Sequence, residues 1–215
     1  MKLHELLQTE AAALGVPLGD DVVRRFLLFM DELLKWNRKV NLTAICEPRE
    51  VVVKHFLDSL TVVPLIPPGA FLLDLGSGGG FPVIPVALVR PDVRAVSVDS
   101  VEKKIFFQRQ ACRVVGVNNV EAVHLRGEEL GRKYPAAFDV GVSRAFSDIP
   151  SFLAMIGPAV RPGGTAIAMK GRRGAEEAAA SAGLLPGGFT LTREIDFTLP
   201  NDGGSRTVIM YVKKN

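Results

Sequence analysis

The sequence contains few of the residues that build metal sites and disulfide frameworks. Of its 215 residues only two are cysteine and three are histidine, and no Cys-x-x-Cys pair occurs. Small secreted domains depend on paired cysteines, and structural zinc sites depend on clusters of cysteine and histidine. We therefore predict that Cys46 and Cys112 are small buried thiols in a protein that holds no metal.

The chain also lacks the hydrophobic segments that direct proteins to membranes. Its first residues, MKLHELLQTEAAALG, show no basic stretch followed by an apolar run, and prolines interrupt the most apolar segment, 59–73. This pattern predicts neither a signal peptide nor a membrane-spanning helix. The formal net charge is only +3, which permits a nucleic-acid partner without requiring one. We expect a cytoplasmic protein that acts as a monomer.

The hydrophobic pattern changes after Pro67, Pro68 and Gly69. Up to that point, apolar residues recur at helical spacing, with Asp20 or Asp21 placed to cap one helix and Pro48 in the first turn of another. Beyond it, short apolar runs alternate with helical stretches. The sequence therefore predicts an N-terminal helical segment over 1–66, packed on an α/β domain over 67–215.

Alternation of strands and helices predicts a mainly parallel sheet that is covered by helices on both faces. The last two apolar runs have no helix between them, so they should form an antiparallel pair that completes a seven-stranded sheet. The predicted strands cover 71–75, 93–98, 120–125, 138–142, 165–169, 189–197 and 206–213, and the helices between them cover about 82–90, 101–115, 147–159 and 174–182.

A glycine-rich segment directly follows the first predicted strand and reads Asp-Leu-Gly-Ser-Gly-Gly-Gly-Phe-Pro over 74–82. Ligands bind beyond the carboxyl ends of parallel strands, where glycines allow the backbone to approach them closely. Dinucleotide-binding loops carry glycine at the first, third and sixth positions. Here Gly76, Gly78 and Gly80 occupy the first, third and fifth positions, and Phe81 occupies the sixth. This spacing is typical of class I S-adenosylmethionine-dependent methyltransferases and disfavours an NAD-dependent oxidoreductase.

Two further strand ends support a nucleoside site. Asp99 ends the second strand about 20 residues after the glycines, where a carboxylate accepts hydrogen bonds from ribose hydroxyls. The third strand leads into Gly127 and Glu128, which in this fold border the adenine. Glu128 also fits a simpler interpretation, an acidic residue in the first turn of a helix. Residue types alone do not separate these two interpretations.

An arginine, Arg144, ends the fourth predicted strand. Amino-methyltransferases often carry an acidic-Pro-Pro-aromatic tetrad there, and this chain does not. We predict that Arg144 contacts the cofactor carboxylate or the RNA target. Lys170, at the end of the fifth strand, is a candidate for the same kind of positioning role.

The chain resembles the bacterial 16S ribosomal RNA guanine-N7 methyltransferases, also called the glucose-inhibited division protein B family. The resemblance runs from about residue 30 to the C-terminus. It rests on the segments WNRKVNLT (36–43), HFLDSL (55–60), the glycine segment, DS with KK (99–104), SRA (143–145), MKG (169–171) and the LP-to-R hairpin (199–206).

The resemblance implies a class I methyltransferase fold, methyl transfer from S-adenosylmethionine, and 16S rRNA or the 30S subunit as partner. It implies a cofactor site that includes Gly76, Phe81, Gly127, Glu128 and Arg144, and it makes Ser100, beside Asp99, a further candidate. Two positions depart from the family pattern, since Val83 replaces a glycine and Gly127 replaces an alanine. Alternatives are a methyltransferase with another substrate and a non-catalytic S-adenosylmethionine-binding assembly factor.

Basic and aromatic residues are the candidate contacts to RNA. Lys103, Lys104, Arg109 and Arg113 form one of three basic groups. Phe81 and Phe146 lie in predicted site loops and are candidates to stack on bases. Trp36 and Phe106 follow apolar stripes, so we predict core positions for both.

Overall fold

The N-terminal part of the molecule is helical, as predicted, in a computed structural model that describes residues 2–214. Helix α2 (Asp20–Val40) buries an apolar stripe that includes Val23, Phe26 and Leu33. Neither predicted aspartate caps this helix. Gly19 occupies the N-cap position, and Asp20 and Asp21 lie in the first turn, where negative charge is favourable.

The third helical region changes its hydrogen-bonding pattern twice. It begins at Pro48, as expected for a residue that has no N–H to donate, continues as a π-helical turn over Val52–Leu57, and ends as a short α-helix over Asp58–Leu60. The helices are α1 (Leu3–Ala13), α2 (Asp20–Val40), α3 (Pro48–Val51), α4 (Asp58–Leu60), α5 (Val83–Val89), α6 (Glu102–Val115), α7 (Leu130–Lys133), α8 (Ile149–Ile156) and α9 (Gly174–Ser181).

The α/β part is built on one seven-stranded sheet with the order β3-β2-β1-β4-β5-β7-β6. Neighbouring strands among β1 to β5 run parallel, and β7 runs antiparallel to both β5 and β6. The predicted fold class is therefore confirmed. The strands are β1 (Phe71–Leu75), β2 (Arg94–Asp99), β3 (Val120–His124), β4 (Phe138–Arg144), β5 (Val160–Gly171), β6 (Phe189–Leu199) and β7 (Gly204–Lys213).

Both faces of the sheet are buried, which explains the nearly continuous apolar runs of the central strands. Adjacent residues Leu72 and Leu73 belong to different hydrophobic clusters because successive side chains point to opposite faces. The N-terminal helices, α5 and α6 cover one face, and α7, α8 and α9 cover the other. The carboxyl ends of β1, β2, β3 and β4 therefore open toward one edge between these layers.

Two predictions about individual side chains are wrong. Cys46 is exposed, whereas Cys112 is buried as expected. Phe106 is 51% exposed, because the fully buried ring of α6 belongs to its neighbour Phe107. Trp36 packs against the core as predicted, partly buried and with 5.8 Å between its ring centroid and that of Phe107. A short helix, α7, follows β3 and was missing from the predicted elements.

Candidate active site

The glycine loop after β1 adopts a backbone that other residues rarely adopt. Gly76, Gly78 and Gly80 have φ values of 74°, 57° and 83°. At Gly80 a Cβ atom would also lie 2.5 Å from Ile84 Cδ1, so Ile84 would have to move to admit a side chain. The N–H of Gly76 donates to the carbonyl of Val98 at 2.8 Å, which ties the loop to the end of β2.

Asp99 links the glycine loop to helix α6. Its Oδ2 accepts from the N–H of Gly78 at 2.9 Å and its Oδ1 accepts from the N–H of Val101 at 2.8 Å. The Lys104 ammonium lies 3.8 Å from Oδ2, and Asp99 is only 6% exposed. Each carboxylate oxygen has a second lone pair available, so this group fits two vicinal ribose hydroxyls.

A cavity of about 630 Å³ lies at the carboxyl ends of β1 to β4, a size that suits a nucleoside ligand. Its lining includes six of the predicted cofactor residues: Gly76, Asp99, Ser100, Gly127, Glu128 and Arg144. The structure thus brings together residues from four separate strand ends. Gly78 and Gly80 shape the loop without lining the cavity.

Gly127 and Glu128 form the far wall of this cavity. A Cβ atom on Gly127 would lie 2.6 Å from the sulfur of Met155, which also lines the cavity, so Met155 takes the space that an alanine methyl would need. The neighbouring Glu129, and not Glu128, accepts from the N–H of Arg126 at 3.4 Å. Both glutamates lie in the first helical turn, and Glu128 is exposed at the cavity.

Phe81 does not line the cavity. Its side chain is buried, with the His55 ring stacked at 4.5 Å between centroids and the Arg144 guanidinium 4.9 Å from its own centroid. Phe146, by contrast, lines the cavity directly. The contribution of Phe81 to the site therefore passes through Arg144.

Arg144 separates the first cavity from a second one of about 350 Å³, and it lines both. Its Nη1 donates to the carbonyl of Lys54 at 3.0 Å and lies 3.4 Å from Asp58 Oδ2. Asp58 Oδ1 in turn lies 3.2 Å from the Nε of Arg206 on β7. One buried carboxylate thus joins an arginine from the centre of the sheet to an arginine from its antiparallel end.

Lys170 lines the second cavity and is almost fully buried. Its Nζ lies 2.7 Å from Glu177 Oε1 and donates to the carbonyl of Phe146 at 3.0 Å. Arg144 and Lys170, predicted separately from two strand ends, are therefore walls of one cavity. Lys170 pairs with Glu177, whereas Arg144 shares the Asp58 carboxylate with Arg206.

The lining of the second cavity also contains His55, Asp58 and Arg206, which were not predicted as site residues. Each belongs to a segment that carries the family resemblance, so the signal was present in the motifs. Spacing alone gave no reason to place them at one site, because they come from an N-terminal helical region and from the last strand.

His55 is held neutral inside the protein. Burial and the nearby Arg144 charge lower its pKa to about 3. Its Nε2 lies 2.8 Å from Thr43 Oγ1, and its Nδ1 has no hydrogen-bond partner among the described residues.

The depressed pKa of His55 predicts a pH-dependent loss of stability. Between pH 6.5 and about 3 the unfolded chain binds a proton at this histidine and the folded chain does not, so folding becomes less favourable as pH falls. His55→Gln should flatten the decline of unfolding free energy between pH 7 and 4.5, measured by urea denaturation. Burial raises the pKa of Asp74, so this residue changes the pH dependence of the unfolding free energy in the opposite direction. Asp74 is present in both proteins, and its contribution therefore cancels in the comparison. Equal slopes of unfolding free energy against pH in the two proteins would contradict the inference that His55 stays neutral in the folded protein.

Among residues 2–214, no group of three or more histidine, cysteine, aspartate or glutamate side chains is arranged to hold a metal ion. Over the same residues, no helix combines the length and the apolar character needed to cross a bilayer.

The family model described as rRNA small subunit methyltransferase G matches residues 23–185. The chain belongs to this family. Curated relatives of that name include one from Geobacter sulfurreducens, 55% identical over 95% of this chain and 94% of the relative. Another, from Geobacter metallireducens, is 50% identical over 98% of this chain and 96% of its own length. The predicted family and the predicted class of enzyme, an S-adenosylmethionine-dependent methyltransferase, are confirmed.

Solved structures show the same fold. A structure described as a SAM dependent methyltransferase from Aquifex aeolicus superposes with a TM-score of 0.61 at 15% identity, covering 85% of this chain and 97% of that one. The departures at Val83 and Gly127 leave this fold intact. Val83 is buried and donates its N–H to Asp74 Oδ2 at 3.2 Å.

Proposed function

We propose that the protein transfers a methyl group from S-adenosylmethionine to N7 of a guanine in 16S ribosomal RNA. The observation that carries the proposal is the family match over residues 23–185, joined to two cavities that meet at Arg144. The first cavity suits the cofactor and the second suits the target base. The partner is then 16S rRNA or the 30S subunit, met by a monomer in the cytoplasm.

The residues of the first cavity fit S-adenosylmethionine. Asp99 would accept from the ribose hydroxyls, with Ser100 beside it and Gly127 and Glu128 at the adenine edge. Gly76 leaves backbone without a side chain at the cavity wall, and Gly78 and Gly80 allow the turn that places it there. Phe81 supports the site by holding Arg144 in position.

The cofactor, when bound, supplies an electrophilic methyl group on a sulfonium. Guanine N7 carries an exposed lone pair, so it needs no deprotonation and the site needs no general base. The remaining task of the protein is to align the base with the methyl group and to exclude water. A neutral, buried His55 fits this requirement, since it adds no proton chemistry at the second cavity.

Methylation at N7 produces a cationic base, which bare arginines and lysines would repel. In the second cavity the cations are paired with acids: Arg144 and Arg206 with Asp58, Lys170 with Glu177, and Lys54 with Glu50. The paired cations retain hydrogen-bond donors for a carboxylate, a phosphate or the guanine O6. Arg144 and Lys170 are thus positioning residues in this proposal.

The target follows from one transfer experiment. The protein is incubated with methyl-labelled S-adenosylmethionine and, in parallel, with unmodified 30S subunits, free 16S rRNA, DNA or a protein extract, and the products are analysed as nucleosides. We expect label in 7-methylguanosine from the ribosomal samples alone. Label in DNA or protein would show that the substrate is not ribosomal RNA. Binding of the cofactor without methyl transfer to any sample would favour an assembly factor.

A further inference from the structure

A groove of about 510 Å³ lies on the outer surface between α2 and α6, apart from the two cavities of the active site. Phe106 is 51% exposed at this groove, although a helix usually buries its aromatic rings. Trp36 and Val40 of α2 form the apolar floor beside it. The full lining is Trp36, Val40, Lys103, Phe106, Arg109, Gln110 and Arg113.

The groove is positively charged. Three of its lining residues are cations, Lys103, Arg109 and Arg113, and no carboxylate belongs to the lining. The ion pairs formed within residues 2–214 involve none of these three side chains. All three residues are exposed; Arg109 donates two hydrogen bonds to the carbonyl of Ala122, at 3.0 and 2.9 Å, and Arg113 donates to Gln110 Oε1 at 3.4 Å.

The groove begins next to the cofactor cavity. Helix α6 starts at Glu102, immediately after the strand that ends in Asp99. Lys104 lines the cofactor cavity, and its neighbour Lys103 lines the groove. From there the groove follows α6 to Arg113, three helical turns away. A polymer whose target nucleotide occupies the active site has a direct route onto this surface.

We propose that the groove between α2 and α6 binds a single-stranded segment of the RNA substrate that flanks the target guanine. One base stacks on Phe106, and the phosphates on either side lie against Lys103 and Arg113. Aromatic rings combined with a cationic groove are the arrangement by which proteins hold single strands without reading sequence. The identity of the polymer as RNA rests on the proposed function. The exposed aromatic ring and the cations beside it are features of the groove itself.

Equilibrium binding of 16S rRNA without cofactor tests the surface independently of methyl transfer. Phe106→Ala should weaken binding by roughly 5- to 100-fold, as expected for a lost base stack, and Phe106→Tyr should bind like the wild type. Arg113→Ala should lower the slope of log affinity against log salt by about 0.7, as expected for one lost phosphate contact on a single strand. In transfer assays both alanine variants should raise KM for RNA and leave kcat and cofactor affinity unchanged.

Matched controls come from elsewhere on the surface. Leu184→Ala removes a side chain that is 69% exposed, and Arg24→Ala removes an exposed cation from the opposite end of α2. Both controls should bind RNA like the wild type. If Phe106→Ala and Arg113→Ala also bind RNA like the wild type, the groove does not hold RNA, even if both variants transfer methyl groups normally. If the two variants lose RNA binding while the controls retain it, the groove is an RNA-binding surface. That result holds even if the methyl-transfer experiment finds the label at another atom or detects none.

Discussion

Replacing Asp58 with asparagine should lower the free energy of unfolding by about 3 kcal/mol, because a buried carboxylate that pairs with charged partners leaves them uncompensated when it is removed. Asp58 is 4% exposed and lies against both Arg144 and Arg206. Burial raises its pKa, and the two arginines act in the opposite direction by stabilising the ionised form. Urea denaturation at pH 7 measures the loss of stability.

The same substitution should reduce methyl transfer by roughly 100-fold, since Arg144 then loses the partner that aims it at both cavities. Asp21→Asn is the matched control, because it removes the carboxylate of an exposed pair with Arg24. That change should cost less than about 0.5 kcal/mol and leave activity intact. An Asp58→Asn protein as stable and as active as this control would show that the buried pairings contribute nothing.

Replacing Asp99 with alanine should weaken binding of S-adenosylmethionine by roughly 100-fold, because in the proposed site it removes a charged acceptor of two hydrogen bonds from the ribose hydroxyls. The loop also loses support, since Asp99 accepts from the N–H groups of Gly78 and Val101. Titration calorimetry with the cofactor measures the affinity, and transfer assays should show a raised KM for the cofactor.

Asp92→Ala is the control for Asp99. Asp92 also accepts from a backbone N–H, that of Gly69 at 2.9 Å, but it is absent from the lining of the cofactor cavity. Its removal should leave cofactor affinity unchanged. Equal cofactor affinity in the Asp99→Ala protein and the wild type would remove Asp99 from the cofactor site.

Much of the fold was predictable because it follows from local patterns. The apolar runs of β1 to β4 and the turns after them placed Gly76, Asp99, Gly127 and Arg144 at strand ends, and parallel strands bring those ends to one edge. The antiparallel end of the sheet followed from the missing helix between its last two strands.

The second cavity was not predictable from spacing, because ion pairs between distant segments follow no period. Asp58 comes from a short helix near the N-terminus and Arg206 from the last strand, and only the tertiary fold joins them. The exposure of Phe106 was missed for a different reason. Phe106 and Phe107 are adjacent on a helix and point about 100° apart, so only one of the two rings can face the core.

The position of β7 in the sheet has a consequence for how the protein is made. β7 lies between β5 and β6 although it follows both along the chain. During translation β6 therefore leaves the ribosome before the strand that joins it to the sheet, and β5 keeps an open edge until β7 emerges. Arg206 lies on β7 and completes the pairing with Asp58. A nascent chain therefore lacks Arg206 at the second cavity until β7 has been synthesised and inserted between β5 and β6.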